Sequence, residues 1–100
     1  MIRHLVMWKY AENIGEKEIE ALLPRLKKAA DDMNGNIDGL IFAELLKNVN
    51  PNERHDLALY CEFSDFEAVK RYQTDPVHLK FKEVLAGNVC DRVCIDCEKV

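Results

Sequence analysis

An alternating pattern opens the chain and limits what it can become. From Ile2 to Tyr10, the residues His4, Val6, Trp8 and Tyr10 share one side of an extended strand, and Arg3, Leu5, Met7 and Lys9 share the other. Apolar side chains occur on both sides, so both faces need cover. A wet surface strand is excluded, and a strand inside a layered or dimeric fold is required.

The pattern then changes period. Asn13, with Glu16 three residues on, forms a helix-start signal, and Ile19, Leu22, Leu23, Leu26, Ala30 and Met33 recur at helical spacing up to Asn34-Gly35. They form one apolar stripe that lies on a core. Pro24 removes a backbone bond inside this helix and predicts a bend near Glu20. Leu40 to Leu46 reads as a second strand and Asp56 to Phe63 as a third, separated by the turn residues Asn50-Pro51-Asn52. Ser64-Asp65-Phe66-Glu67 fits a capping box for a helix running to about Tyr72. Asp75 as cap and Pro76 as first helical residue restart it to about Ala86, Gly87-Asn88 stops it, and Val89 to Cys97 is the last strand.

The resulting order, β-α-β-β-α-β, predicts an α+β, ferredoxin-like fold: a four-stranded antiparallel sheet with its helices on one face. The opposite face is left bare, with Leu5 and Met7 on it. A homodimer closing two sheets into an α/β barrel is the simplest cover.

With 100 residues, 48% of them hydrophobic and 32% charged, the chain reads as a single ordered domain over residues 1–100. A net charge of -4 offers no electrostatic footprint for nucleic acid, and no apolar run approaches a membrane span. The charged Arg3-His4 start does not resemble a signal peptide, so a cytoplasmic location is expected. Cys90, Cys94 and Cys97 have the C-x3-C-x2-C spacing of some iron–sulfur proteins. Strand alternation, however, sends Cys94 and Cys97 to opposite faces, whereas a cluster or a zinc ion needs converging thiolates. Reduced strand thiols are expected instead, with no metal and no cofactor.

Four segments together resemble the stress-responsive A/B-barrel (Dabb) family of small dimeric α+β barrels. They are Arg-His-Leu-Val-Met-Trp-Lys-Tyr from Arg3, Asp-Leu-Ala-Leu-Tyr-Cys-Glu-Phe from Asp56, Tyr-Gln-Thr-Asp-Pro-Val-His from Tyr72 and Arg-Val-Cys-Ile-Asp from Arg92. The resemblance covers essentially the whole chain and implies a homodimer. One plant branch of the family consists of polyketide cyclases, in which a His and Tyr pair closes a ring by aldol chemistry without cofactor. Its pair matches Tyr72 and His78, and a further pocket histidine matches His4. The chain departs from that branch at Leu57, where the branch has a second strand histidine, and at Leu22, Leu23 and Leu26, where it has aromatic residues.

The chemistry follows from the residue types. His78, near the third position of the helix begun by Asp75-Pro76, is expected as a general base removing a proton next to a carbonyl; a helix N-terminus disfavours imidazolium. Tyr72 would hold the substrate oxygen, and His4, Val6, Trp8, Leu23 and Leu26 would line a pocket for a small hydrophobic or carbonyl ligand. A Tyr ending one helix and a His beginning the next also serve simply to satisfy loop carbonyls, and His4 equally suits a hydrogen-bonded core position. His55, beside Arg54, reads as solvent-facing. Three functions are compatible with the pattern: a small-molecule enzyme or binder, a non-catalytic dimeric stress or scaffold protein, and a cofactor-independent monooxygenase. The fold alone does not separate them.

Overall fold

In the computed structural model, which describes Met1–Val100, the first strand, β1 (Ile2–Tyr10), lies in the middle of the sheet. It pairs antiparallel with β3 (Leu57–Phe63) on one side and β4 (Val89–Cys97) on the other, and β2 (Leu40–Lys47) adds to β3, giving the order β2-β3-β1-β4. The expected ferredoxin-like, four-stranded antiparallel fold is present.

The long helix α1 (Glu16–Met33) and the two shorter ones, α2 (Phe66–Tyr72) and α3 (Pro76–Leu85), cover one sheet face. Ile2, Val6 and Trp8 of β1 and Leu57, Leu59, Cys61 and Phe63 of β3 are buried there against Leu22, Leu26, Ala30 and Met33 of α1. Phe81 and Leu85 complete this core from α3. The periodicities seen in the sequence are therefore those of one core, with period two on the strands and 3.6 on the helices.

Two helix starts differ from expectation. Asn13 does not cap α1; Ile14 N–H donates to the Ala11 carbonyl at 3.2 Å, so Asn13 is held in a turn and Gly15 becomes the cap. The Glu18 carboxylate then reaches back to Gly15 N–H at 2.9 Å. The capping box at Ser64 also moves by one residue, because Ser64 N–H still donates to the Gly39 carbonyl at 2.9 Å. Asp65 caps instead, its carboxylate accepting from Ala68 N–H at 2.8 Å, where the helix dipole favours negative charge. The α1 helix continues through Pro24 to Met33.

At the far end of α1 the Asn34 side chain acts as a surrogate strand. Its Nδ2 donates to the Ala43 carbonyl and its Oδ1 accepts from Ala43 N–H, both at 2.8 Å, which ties edge strand β2 to the helix end. Gly39, with φ +82°, makes the turn into β2; a Cβ there would meet the Ala68 Cβ at 2.5 Å.

The sheet face away from the helices has no cover within the chain. Leu5 sits opposite both Tyr60 and Ile95, and Met7 opposite Ala58 and Val93. Phe42 and Leu46 extend the same face across β2, and Phe42, Leu46, Val93 and Ile95 are all exposed. Leu5 and Met7 lie where the sequence placed them, at the centre of an apolar sheet surface.

Candidate functional site

The break between α2 and α3 builds the site. Tyr72 ends α2, and Asp75 caps α3 by accepting from Val77 N–H at 2.9 Å, with Pro76 at the first position. This puts His78 in the first turn of α3, facing back onto Tyr72. The two rings stack at 3.7 Å with an interplanar angle of 19°. His78 Nδ1–H donates to the Tyr72 carbonyl at 2.9 Å. Because a carbonyl only accepts, this bond assigns the tautomer: the proton is on Nδ1 and Nε2 carries a free lone pair. Burial pushes His78 down to about 4, opposed by the Tyr72 carbonyl and Asp75 and reinforced by Lys82 and His4. The imidazole is therefore neutral at pH 7, as a proton acceptor must be.

His4 completes the cluster from the central strand. It is 3% exposed, and its Nδ1–H donates to the Asp96 carboxylate at 2.5 Å, with Cys94 Sγ 3.7 Å from the same nitrogen. Its ring meets the edge of Tyr72 at 5.7 Å and of Phe63 at 6.1 Å. The Tyr72 hydroxyl is buried without a hydrogen-bond partner. Burial raises its pKa well above the usual phenol value, with further upward pressure from the neighbouring Cys61 thiol, itself pushed up to about 12 by burial. A buried hydroxyl left unpaired costs about 1–3 kcal/mol, so the fold tolerates an uncompensated donor at this point.

These groups border a cavity of about 220 Å³ between α3 and the sheet. His4, Val6, Trp8, Tyr72 and His78, five of the residues singled out in the sequence, all line it. Leu23 and Leu26 do not. Leu26 is completely buried in the core, and Leu23 lines a separate open groove between α1 and β2. That groove is larger, about 630 Å³, but contains no imidazole or hydroxyl, only surface carboxylates and lysines around an apolar floor. The cavity also has walls that sequence reasoning missed: Phe81 and Leu85 from α3, Gln73 from the helix break, and the cations Lys82 and Arg92. Lys82 was detectable as the residue one helical turn after His78. Asp96, the partner of His4, was not, because the strand pairing that joins them spans almost the whole chain.

One grouping has the donors of a metal site: His4, Cys94 and Asp96 bring an imidazole, a thiol and a carboxylate within 4.8 Å of one another. The tight His4–Asp96 hydrogen bond already uses two of these donors, and the Arg92 guanidinium lies close enough to Cys94 to lower its pKa against burial and Asp96. In this arrangement the Asp96 carboxylate holds the His4 ring in place. Cys94 and Cys97 lie on opposite faces, with Cys97 Sγ bonded to the Arg3 carbonyl at 3.4 Å, and all four cysteines are free. His55 is not simply solvent-facing: it is half-buried, and its Nε2 bonds the Asp91 carbonyl at 3.1 Å.

Comparison with known proteins gives the arrangement a context. The chain is 33% identical over 79 residues to an uncharacterized protein of Streptomyces coelicolor, covering 78% of this chain and 79% of that one. It is similar in structure to a dimeric protein of unknown function and ferredoxin-like fold from Bacteroides fragilis, with a TM-score of 0.90 and 30% identity over 98% of this chain and 95% of that chain. A hydroxynitrile lyase from Passiflora edulis has the same fold, with a TM-score of 0.72 at 14% identity over 96% of this chain and 90% of that chain. No helix is long and apolar enough to cross a membrane. The model of the Stress Responsive A/B Barrel Domain matches residues 2–99, and the chain belongs to that family.

Proposed function

We propose that the chain works as a homodimer in which each subunit holds a small carbonyl-bearing molecule in the cavity beside His78 and removes a proton from the carbon next to that carbonyl. The observation that carries this reading is the His78 tautomer. The bond from Nδ1–H to the Tyr72 carbonyl leaves Nε2 as an acceptor on a neutral, buried ring that borders a cavity. The proton would pass from carbon to Nε2, and the charge developing on the carbonyl oxygen would become an enolate. The Tyr72 hydroxyl, unpartnered and sealed beneath the surface, would become the donor for that oxygen through a shift of its ring toward the cavity, and binding would then satisfy a group that folding leaves bare. Val6, Trp8 and Phe81 provide apolar walls for the carbon framework. His4, locked by Asp96, holds Tyr72 from its other edge. The dimer reading rests on the uncovered apolar sheet face and on the dimeric relative from Bacteroides fragilis.

The test is exchange of the α-protons of acetophenone in deuterated water, followed by NMR. The wild-type protein is expected to accelerate exchange, and His78→Ala to return it to the buffer rate, a loss of at least about 100-fold, with unchanged sedimentation. Equal exchange with both proteins would remove His78 from any catalytic role.

A further inference from the structure

Two cations face the cavity with no carboxylate to answer them. Lys82 lies one turn beyond His78 on α3, and Arg92 reaches in from β4; both line the cavity, and no Asp or Glu does. Neither forms an ion pair. In a chain of net charge -4, this local excess of positive charge runs against the overall sign.

The position of Arg92 depends on a specific distortion of the sheet. Met7 pairs with Val93 and Lys9 with Cys90, so Asp91 and Arg92 together stand opposite Trp8. Two residues opposite one make a β-bulge, a device that redirects a side chain. Asp91 takes the left-handed conformation, φ 55°, and is the one non-glycine residue in the molecule with positive φ. It is held there at both ends: its carboxylate accepts from Arg54, and its carbonyl is bonded by His55 Nε2 at 3.1 Å. Beyond the bulge Arg92 shares the helix-facing side with Cys94 and Asp96, beside Trp8. A strained residue with two supporting contacts is thus spent on pointing an unpaired guanidinium at the cavity. The fields of the two cations also reach the central pair: Lys82 lowers the pKa of His78, and Arg92 lowers that of Tyr72 against burial.

We infer that the cavity selects an anionic ligand, a single-ring molecule carrying a carboxylate, with the carboxylate between Lys82 and Arg92 and the ring against Trp8 and Phe81. The inference rests on the cavity being a ligand site, as proposed above, and adds the class of ligand. The guanidinium offers a planar fork that matches a carboxylate, and the ammonium a movable point charge beside it. Placing the anion at this rim would leave the rest of the ligand next to His78. It would also leave neutral molecules of the same shape able to enter but more weakly bound, because they leave two cations at the mouth unanswered.

The experiment is a titration of the full-length, isotope-labelled protein with cinnamate and, separately, with cinnamamide, its uncharged counterpart, read from backbone amide shifts. Cinnamate is expected to move the amides of His78, Phe81 and Lys82 and to bind at least about tenfold tighter than cinnamamide. Lys82→Gln and Arg92→Gln should each shrink that ratio, the double variant should bring it close to one, and Arg92→Lys should retain part of it. Added salt should narrow the ratio in the wild type. The unliganded spectrum of each variant reports whether it is folded. Equal affinity for the two compounds, or a ratio insensitive to both substitutions, overturns the anionic selectivity while the cavity stands as a ligand site. If neither compound moves any cavity amide, both the selectivity and the ligand site fall.

Discussion

His78 shows how little at the residue scale is needed to leave a helix residue neutral with an open acceptor nitrogen. A single bond to the Tyr72 carbonyl fixes the tautomer, and burial removes the charge. The same burial makes His78 a liability in acid. Its folded pKa, about 4, lies below the ordinary value of 6.5, so between those two pH values the unfolded chain binds the proton and the folded chain does not. Stability contributed by the neutral ring is complete above about pH 6.5 and is lost as pH falls toward 4, by on the order of 3 kcal/mol at most. Denaturant melts across this range should show that loss in the wild type and a distinctly shallower one in His78→Phe; parallel curves would place the acid sensitivity elsewhere. Tyr72 carries a different cost, a buried hydroxyl without a partner, and the pair together are a residue-level sign that packing was not the sole requirement here.

At the scale of elements, short-range signals were right about which segments form and wrong by one or two residues about where some begin. Asn13 and Ser64 both have good capping side chains, but a local turn bond from Ile14 to Ala11 holds Asn13 outside the helix, and a long-range bond from Ser64 to Gly39 ties Ser64 to the strand turn. The bulge at Asp91 was invisible as well, because strict alternation is the assumption a bulge breaks. Alternation nevertheless placed Cys94 and Cys97 on opposite faces correctly, since both lie beyond the bulge and the spacing between them is unaffected. The edge strand is held by Asn34, whose amide bonds both backbone groups of Ala43. Asn34→Ala is expected to lower unfolding stability by about 2 kcal/mol, since it strips two partly buried backbone groups of their partners at once. A denaturation midpoint unchanged from the wild type would mean that water replaces the amide without loss.

The whole molecule is incomplete on one side. Its helices cover one sheet face, while Leu5, Met7, Phe42, Leu46, Val93 and Ile95 crowd the other. Val93 and Ile95 are 41% and 57% exposed in the single chain, beyond what scattered surface hydrophobics require. A stable interface buries roughly 800 Å² per partner, which a four-stranded sheet face readily supplies. Val93→Glu combined with Ile95→Glu should therefore yield a monomer in sedimentation equilibrium, because a carboxylate brought unpaired into such an interface costs several kcal/mol, about 3 or more. A dimer of undiminished affinity would locate the contact on another surface. The cavity lies on the helix side of the same β4, so the monomer should keep the cavity if β4 remains paired to β1.

Sequence alone determined the order of elements, the two faces of β1, the core stripe of α1 and the helix break that sets Tyr72 just before His78. These follow from local periodicity and turn chemistry, which act over a few residues and survive in any fold the chain adopts. Only the tertiary structure decided which side chains share the cavity. It withdrew Leu23 and Leu26, brought in Lys82 and Arg92, and joined His4 to Asp96 across a strand pair. Those outcomes depend on register, on a bulge and on the break between two helices. Each is set by contacts between segments far apart in the chain, where one residue of slip reverses the face on which a side chain lies.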